Sequence, residues 1–324
     1  MSQYTIALDA MGGDHAPGAV VEGVALALSQ TDAVFGVSTK FLLIGQQEAL
    51  DAEITKHALP LDRVTVLHAP EVIENHETPT HAVRRKKDSS MMVGLRAVRD
   101  GQAHAFISAG STGALLAGAT VIIGRKPGIE RPALGTLLPN RKGHTFLIDC
   151  GANIDAKPSY LVQFAQMGSD YTAKTLGIAR PRVGLINIGA EEEKGNQLCK
   201  EAFPLLAASG LNFVGNVEAR EVPAGAVDVA VCDAFVGNVL LKYTEGLALG
   251  LMGMVKDQLM ADPISKFGAL LSKRAYMRLK NTFDYENVGG APFLGLKALV
   301  VKAHGSSGPR AICAAIHQCT QYLA

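Results

Sequence analysis

The stretch VGLINIGAEEEKGN, at 183–196, narrows the possible folds more than any other part of the chain. Val183 to Ile188 is a short apolar run with β-branched residues, which predicts a buried strand. Gly189 lets the backbone turn tightly. Glu191, Glu192 and Glu193 follow, then Lys194, Gly195 and Asn196, and a helical apolar pattern runs from about Gln197 to Ala208. A strand that passes through a polar loop into a helix is the unit of an open α/β sheet, where ligands bind at the carboxyl ends of strands. Lys194 at such an end, beside helix-start N–H groups, suits an anion. It equally suits a solvated charged loop.

The same unit recurs along the chain. Strands are predicted at 5–8, 41–45, 64–67, 105–109, 145–148, 227–231 and 299–302, with a further extended piece beginning at Arg131. Helices are predicted from Pro17 and at about 46–57, 91–99, 114–123, 160–176, 238–260 and 309–322. This alternation is the pattern of a parallel sheet covered on both faces. ENHETPT, at 74–80, reads as a loop closed by a proline break, and Gly289 to Pro292 as a turn cluster. No internal repeat or interdomain linker is visible, so residues 1–324 read as a single domain.

Composition excludes several classes. Basic and acidic residues number 31 and 30, a net charge of +1, so no global field favours nucleic acid. The five cysteines form no CxxC pair and have no histidine at zinc-ligand spacing, which reads as free thiols in a reducing cytosol. The acidic residues show no metal-ligand cluster, and no metal or cofactor is called for. The N-terminus lacks the pattern of a signal peptide, and no apolar run is long enough to span a bilayer.

Three stretches carry candidate chemistry. Gly110, Ser111, Thr112 and Gly113 follow the predicted strand at 105–109 and open a small-residue helix. Glycines allow close approach, hydroxyls donate, and the helix start is positive, which suits an oxyanion; tight helix packing explains the same small residues. Arg84, Arg85, Lys86 and Lys87 are consecutive cations before a Ser89 helix cap, either a solvated face or a docking surface for an acidic partner. After Pro263, Ile264, Phe267, Gly268 and Leu271 share one helical face, and Lys266, Lys273, Arg274, Arg278 and Lys280 supply charge with no intervening acid. This basic amphipathic helix suits a membrane surface, a partner, or a dimer or core contact. It belongs to a helical insertion at about 250–282.

These segments, with their order along the chain, resemble the bacterial phosphate acyltransferases of phospholipid synthesis, the PlsX family. The resemblance rests on DAMGGD (9–14), VRRKKDSSM (83–91), SAGSTGALLA (108–117), NIGAEEEKGN (187–196), VGNVLLK (236–242), GGAPFLGL (289–296) and AHGSS (303–307). Ser111 and Ala234 depart from the usual Asn and Gly, and YENVGG (285–290) from the commoner YEEYGG. The resemblance implies an α/β fold, a three-layer α/β/α sandwich similar to the isocitrate/isopropylmalate dehydrogenases and the phosphate acetyltransferases, that forms a homodimer. It implies transfer of a long fatty acyl group from acyl carrier protein to inorganic phosphate. A membrane glycerol-3-phosphate acyltransferase would then consume the acyl phosphate.

Under that resemblance Lys194 and Asn238 are the catalytic candidates, and Ser108, Gly110, Ser111, Thr112 and Gly113 the phosphate cradle. Asp14, His15, Asn153, His304, Ser306 and Ser307 are further substrate-binding candidates from matched strand-end loops; capping and turn roles fit them equally. Arg84 to Lys87 would dock the acidic carrier protein. Ile264, Phe267, Leu270 and Leu271 would touch the membrane, giving a cytoplasmic, peripherally attached enzyme. The alternatives are a phosphate acetyltransferase-like enzyme using acyl-CoA, a dehydrogenase of similar fold, and a non-catalytic membrane-associated scaffold. The dehydrogenase lacks its nucleotide signature here.

Overall fold

Alternate side chains along a strand point to opposite faces of a sheet, and this chain's strands divide accordingly between separate cores. Ile6 and Leu8 enter one core and Ala7 another; Phe41 and Leu43 oppose Ile44; Phe146 and Ile148 oppose Leu147. Strands that bury both faces need helices on both sides. The computed structural model describes residues 3–35, 38–283 and 289–324. It places an 11-stranded sheet between two helical layers.

The first half contains β1 (Gln3–Asp9), α1 (Gly18–Phe35), β2 (Ser38–Gly45), α2 (Gln47–Lys56), β3 (Val64–His68), α3 (Pro79–Arg85), α4 (Ser90–Arg99), β4 (Ala105–Ser108) and α5 (Thr112–Ile122). The second contains β5 (Ala133–Asn140), β6 (Gly143–Ile148), α6 (Pro158–Leu176), β7 (Val183–Asn187), α7 (Gln197–Ala207), β8 (Phe213–Glu218) and β9 (Val229–Val231). The helices α8 (Ala234–Leu259) and α9 (Pro263–Phe283) form a hairpin. Then β10 (Ala291–Leu294), β11 (Leu299–Lys302) and α10 (Pro309–Leu323) return to the first half.

The strand order is β3-β2-β1-β4-β11-β10-β5-β6-β9-β7-β8. Each flank is parallel, as the alternation predicts. The centre is not: β10 is antiparallel to both neighbours, and β5 is antiparallel to β6. The two flanks therefore run in opposite directions. Their stagger matters for the site. Val300 pairs with Phe293, Phe293 with Leu134, and Gly135 with Ile148. The end of β6 thus lies level with the end of β11, and the carboxyl ends of the two flanks meet at the centre of the sheet.

Other sequence expectations need correction. Pro79 does not end a loop; it opens α3, where its missing N–H costs nothing. Gly289 to Pro292 is not only a turn, because Ala291 and Pro292 begin β10 and pair with Lys302 and Val301. The strand β8 went unpredicted; Gly215, at φ +98°, lies where its register with β7 shifts. Of YENVGG, positions 285–288 lie outside the described residues.

The Ser89 cap agrees with the sequence reading, and three further caps appear in the fold. Ser89, Ser111, Asn196 and Asp233 each accept backbone N–H groups at the starts of α4, α5, α7 and α8. All five cysteines are free, and only Cys199 is not buried.

Candidate active site

The meeting of the two flanks leaves a cavity of about 440 Å³ at the foot of the α8–α9 hairpin. Its polar wall carries Thr112 from the start of α5, Lys302 and His304 from the end of β11, and Asn238, Lys242 and Glu245 from α8. Its apolar wall is drawn from β5 (Leu134, Leu137, Leu138), from Ile154, and from α8 (Phe235, Val239).

Close packing fixes α8 against the sheet. A Cβ at Gly237 would stand 1.9 Å from the Asp149 carbonyl oxygen, so only glycine lets the helix start this close. Asp149 holds the strand end beneath it. Its carboxylate accepts from the backbone N–H groups of Leu134, Gly151, Ala152 and Asn153, and from the Asn153 side chain at 2.7 Å. Burial raises the Asp149 carboxyl above its usual range, and these donors oppose the rise. Asn153 also donates to Pro132 O, and its own carbonyl accepts from Ala234 N. Asn153 thus joins β5, the loop after β6 and α8, and so positions Asn238, the next turn's exposed side chain.

On the other flank, Asp9 lies fully buried below the Gly110 loop. Ser108 Oγ donates to its Oδ2 at 2.7 Å and accepts from Gly110 N, and burial pushes the Asp9 carboxyl up. A Cβ on Gly12 would sit 2.6 Å from Asp9 Oδ2 and 2.8 Å from Gly110 N. The glycines of DAMGGD therefore let two strand-end loops touch. Ser108 is thereby a buried support, while Thr112 reaches the cavity wall. Ser111 caps α5 through a long contact with Ala114 N.

Asp14 N donates to Gly305 O, tying the first loop to AHGSS. His304 Nδ1 accepts from Ser306 N and lies 2.8 Å from Ser306 Oγ, which leaves the ring proton on Nε2. Burial, then the nearby Lys242 cation, lowers the His304 pKa, so the neutral imidazole is favoured. Ser307 is buried and bonds back to His304 O; Asp14 and His15 are exposed.

Lys194 stands apart. It is exposed, and it is absent from the cavity lining. Its loop is tied back to β7: Asn187 Nδ2 donates to Lys194 O, and Gly195, at φ +98°, passes so close that a Cβ would meet Asn187 Oδ1 at 2.4 Å. Cys150 does line the cavity, but burial holds its thiol far above the ordinary range, which disfavours its thiolate.

The basic run divides. Lys86 is half-buried, bonded to Val72 O and paired with Glu77 at 2.5 Å, whereas Arg84, Arg85 and Lys87 are exposed. On the hairpin, Ile264, Phe267, Leu270 and Leu271 are each at least 64% exposed. Phe235, Val239, Tyr243, Leu247, Leu251 and Met254 form a second exposed apolar stripe along α8. Among the described residues no helix is long and apolar enough to cross a membrane.

Sequence reading missed Lys302. It sits at the end of LVVK, directly before the AHGSS segment. A lone lysine closing an apolar strand was the available signal.

Comparison with known proteins gives the family and the fold. A family model described as "Fatty acid synthesis protein" matches residues 4–324. A phosphate acyltransferase of Clostridium acetobutylicum is 49% identical over 314 residues, covering 97% of this chain and 93% of the relative. Among solved structures, a phosphotransacetylase from Streptococcus pyogenes superposes with a TM-score of 0.62 at 21% identity, covering 98% of this chain and 93% of that one. A 4-hydroxythreonine-4-phosphate dehydrogenase from Klebsiella pneumoniae gives 0.55 at 13%, covering 99% and 100%. These two likenesses concern the fold.

Proposed function

The chain belongs to the phosphate acyltransferases of the fatty acid synthesis protein family, and from that premise we propose that it transfers a long-chain fatty acyl group from acyl carrier protein to inorganic phosphate. The observation that carries this reading is a cavity that has both a cationic, hydrogen-bonding wall and an apolar wall. A phosphate and an acyl chain have opposite solvation needs, and this cavity offers both.

The reaction is a direct displacement. A phosphate oxygen attacks the thioester carbonyl carbon, a C–O bond forms, and the C–S bond breaks. The proton of hydrogenphosphate passes to the departing sulfur, giving acyl phosphate and the free carrier thiol. Phosphate needs little general-base help near neutral pH. It needs alignment, relief of charge repulsion, and donors for the carbonyl oxygen as it becomes negative. Asn238 donates its amide to that oxygen or orients phosphate, Thr112 and the start of α5 receive phosphate, and neutral His304 offers an N–H. Lys194 acts as a phosphate- or oxyanion-binding cation when its loop reaches the substrates.

The product is an amphiphile, which suits release at a bilayer. The exposed residues Ile264, Phe267, Leu270 and Leu271, flanked by cations, attach the cytoplasmic enzyme peripherally to an anionic membrane, near the glycerol-3-phosphate acyltransferase that consumes acyl phosphate. A second copy covers the outer part of the α8 stripe, Leu247, Leu251 and Met254, in a homodimer. Arg84, Arg85 and Lys87 face the acidic carrier.

The test is a mixture of the protein, palmitoyl-acyl carrier protein and phosphate, with acyl phosphate trapped by hydroxylamine. Phosphate-dependent hydroxamate is expected. Signal with acetyl-CoA alone would move the chain to the phosphate acetyltransferases, and silence with both donors would leave a scaffold. Co-sedimentation with anionic vesicles should fall several-fold in Phe267→Glu/Leu271→Glu; undiminished binding would remove the hairpin from that role.

A further inference from the structure

We infer that Lys302 is the cation that holds inorganic phosphate in this cavity, an assignment that rests on the proposed transfer to phosphate. Three observations converge on it.

The first is placement. Lys302 lines the polar wall together with Thr112 and His304, where the ends of β4 and β11 lie side by side. Ala303 N bonds Ser108 O at 2.9 Å, so this strand end and the Gly110 loop move as one piece.

The second is hydrogen-bond accounting. An ammonium carries three donors and no acceptor. Lys302 Nζ donates to Ala109 O at 3.3 Å and to Ala303 O. These two carbonyls anchor the head at the cavity wall and leave a donor for a ligand oxygen.

The third is charge. Lys242, on the same wall, already has a counter-ion in Glu245 at 2.8 Å. Lys302 makes no ion pair among the described residues, although it is largely withdrawn from solvent. A withdrawn cation without a partner is costly, and an arriving dianion relieves that cost. The charged and titratable groups around it are Asp9 on β1, Asp14 in the following loop, Lys242 on α8, and His304. Asp9 and Asp14 act on Lys302 through space and favour its charge, but neither forms an ion pair with it.

Burial lowers the Lys302 pKa to about 8. The cation persists below that value and is lost above it. Free-enzyme affinity for phosphate should therefore weaken as pH rises past about 8, and an arginine, charged throughout, should remove that dependence.

The experiment is calorimetric titration of the full chain with inorganic phosphate, without acyl donor, for wild type, Lys302→Met and Lys302→Arg at several pH values, followed by steady-state kinetics. Lys302→Met should weaken phosphate binding at least about 10-fold and raise the phosphate KM equally, with the acyl-donor KM unchanged, the scale of a lost charge-assisted bond. Lys302→Arg should retain most of the affinity and flatten its pH dependence. Phosphate binding by Lys302→Met equal to wild type would overturn the inference. If Lys302→Met does not fold, Lys302→Gln takes its place, and phosphate binding by that variant equal to wild type also overturns the inference. Binding that depends on Lys302 in a protein that makes no acyl phosphate would uphold the anion site and refute the transferase reading.

Discussion

Lys194, in the loop after β7, and Lys302, the last residue of β11, stand at strand ends in opposite flanks of one sheet, and they differ in nearly every other respect. Lys194 sits in a loop of glutamates and is exposed. Lys302 follows three apolar residues, has no acid within six positions on either side, and lines the cavity. A charged loop advertises itself in sequence, because charge and turn residues cluster there. A single cation on a buried strand does not, yet withdrawal from water strengthens its hold on an anion. The difference teaches that a visible charge and an effective charge are separate properties, and that the second depends on what the fold excludes.

Substitutions along this axis can sharpen or break the comparison. The largest effect is expected from Lys194→Ala. If its loop closes over the substrates, turnover falls at least about 100-fold with an unchanged circular dichroism spectrum, as when one oxyanion donor is removed. A fall of only a few-fold would leave Lys302 as the cation that matters. Next comes the triple reversal Arg84→Glu/Arg85→Glu/Lys87→Glu. It should raise the carrier-protein KM about 10-fold at low salt and much less in 0.5 M salt, because exposed charges are screened; a salt-independent rise would deny a docking role. The smallest effect belongs to Lys86→Met. Losing its bonds to Val72 O and Glu77 should lower the melting temperature by roughly 2 °C and leave the carrier KM alone. A carrier KM that rises as in the triple variant would return Lys86 to the docking face.

The same distinction explains what could be read in advance. Apolar runs bounded by glycine and polar residues located β1, β2, β3, β4, β6, β7, β9 and β11, because strands buried on both faces are continuous and apolar. The α5 loop and Asn238 were legible as matched motifs, and the structure brings Thr112, Asn238 and His304 to one cavity. The strand β10 was masked by Gly290 and Pro292, and β8 by a glycine at positive φ. The central reversal of direction was hidden for another reason. Strand periodicity is the same in both directions, so only pairing reveals it. Asn153 was anticipated at a strand end, but its hydrogen bonds with Asp149, Pro132 and Ala234 join three elements and so are visible only in the fold.

The narrow join at the middle of the sheet has a mechanical consequence. The joints of β1 with β4, β10 with β11 and β6 with β9 have three residue pairs each, whereas β10 and β5 share two, Phe293 with Leu134 and Leu294 with Ala133. A seam this thin is where rotation of one flank against the other would concentrate. Asn238 and Lys302 stand on opposite sides of it, so the seam would act as the pivot of a pair of jaws, with the angle at two residue pairs setting the gape between the donor of one jaw and the cation of the other.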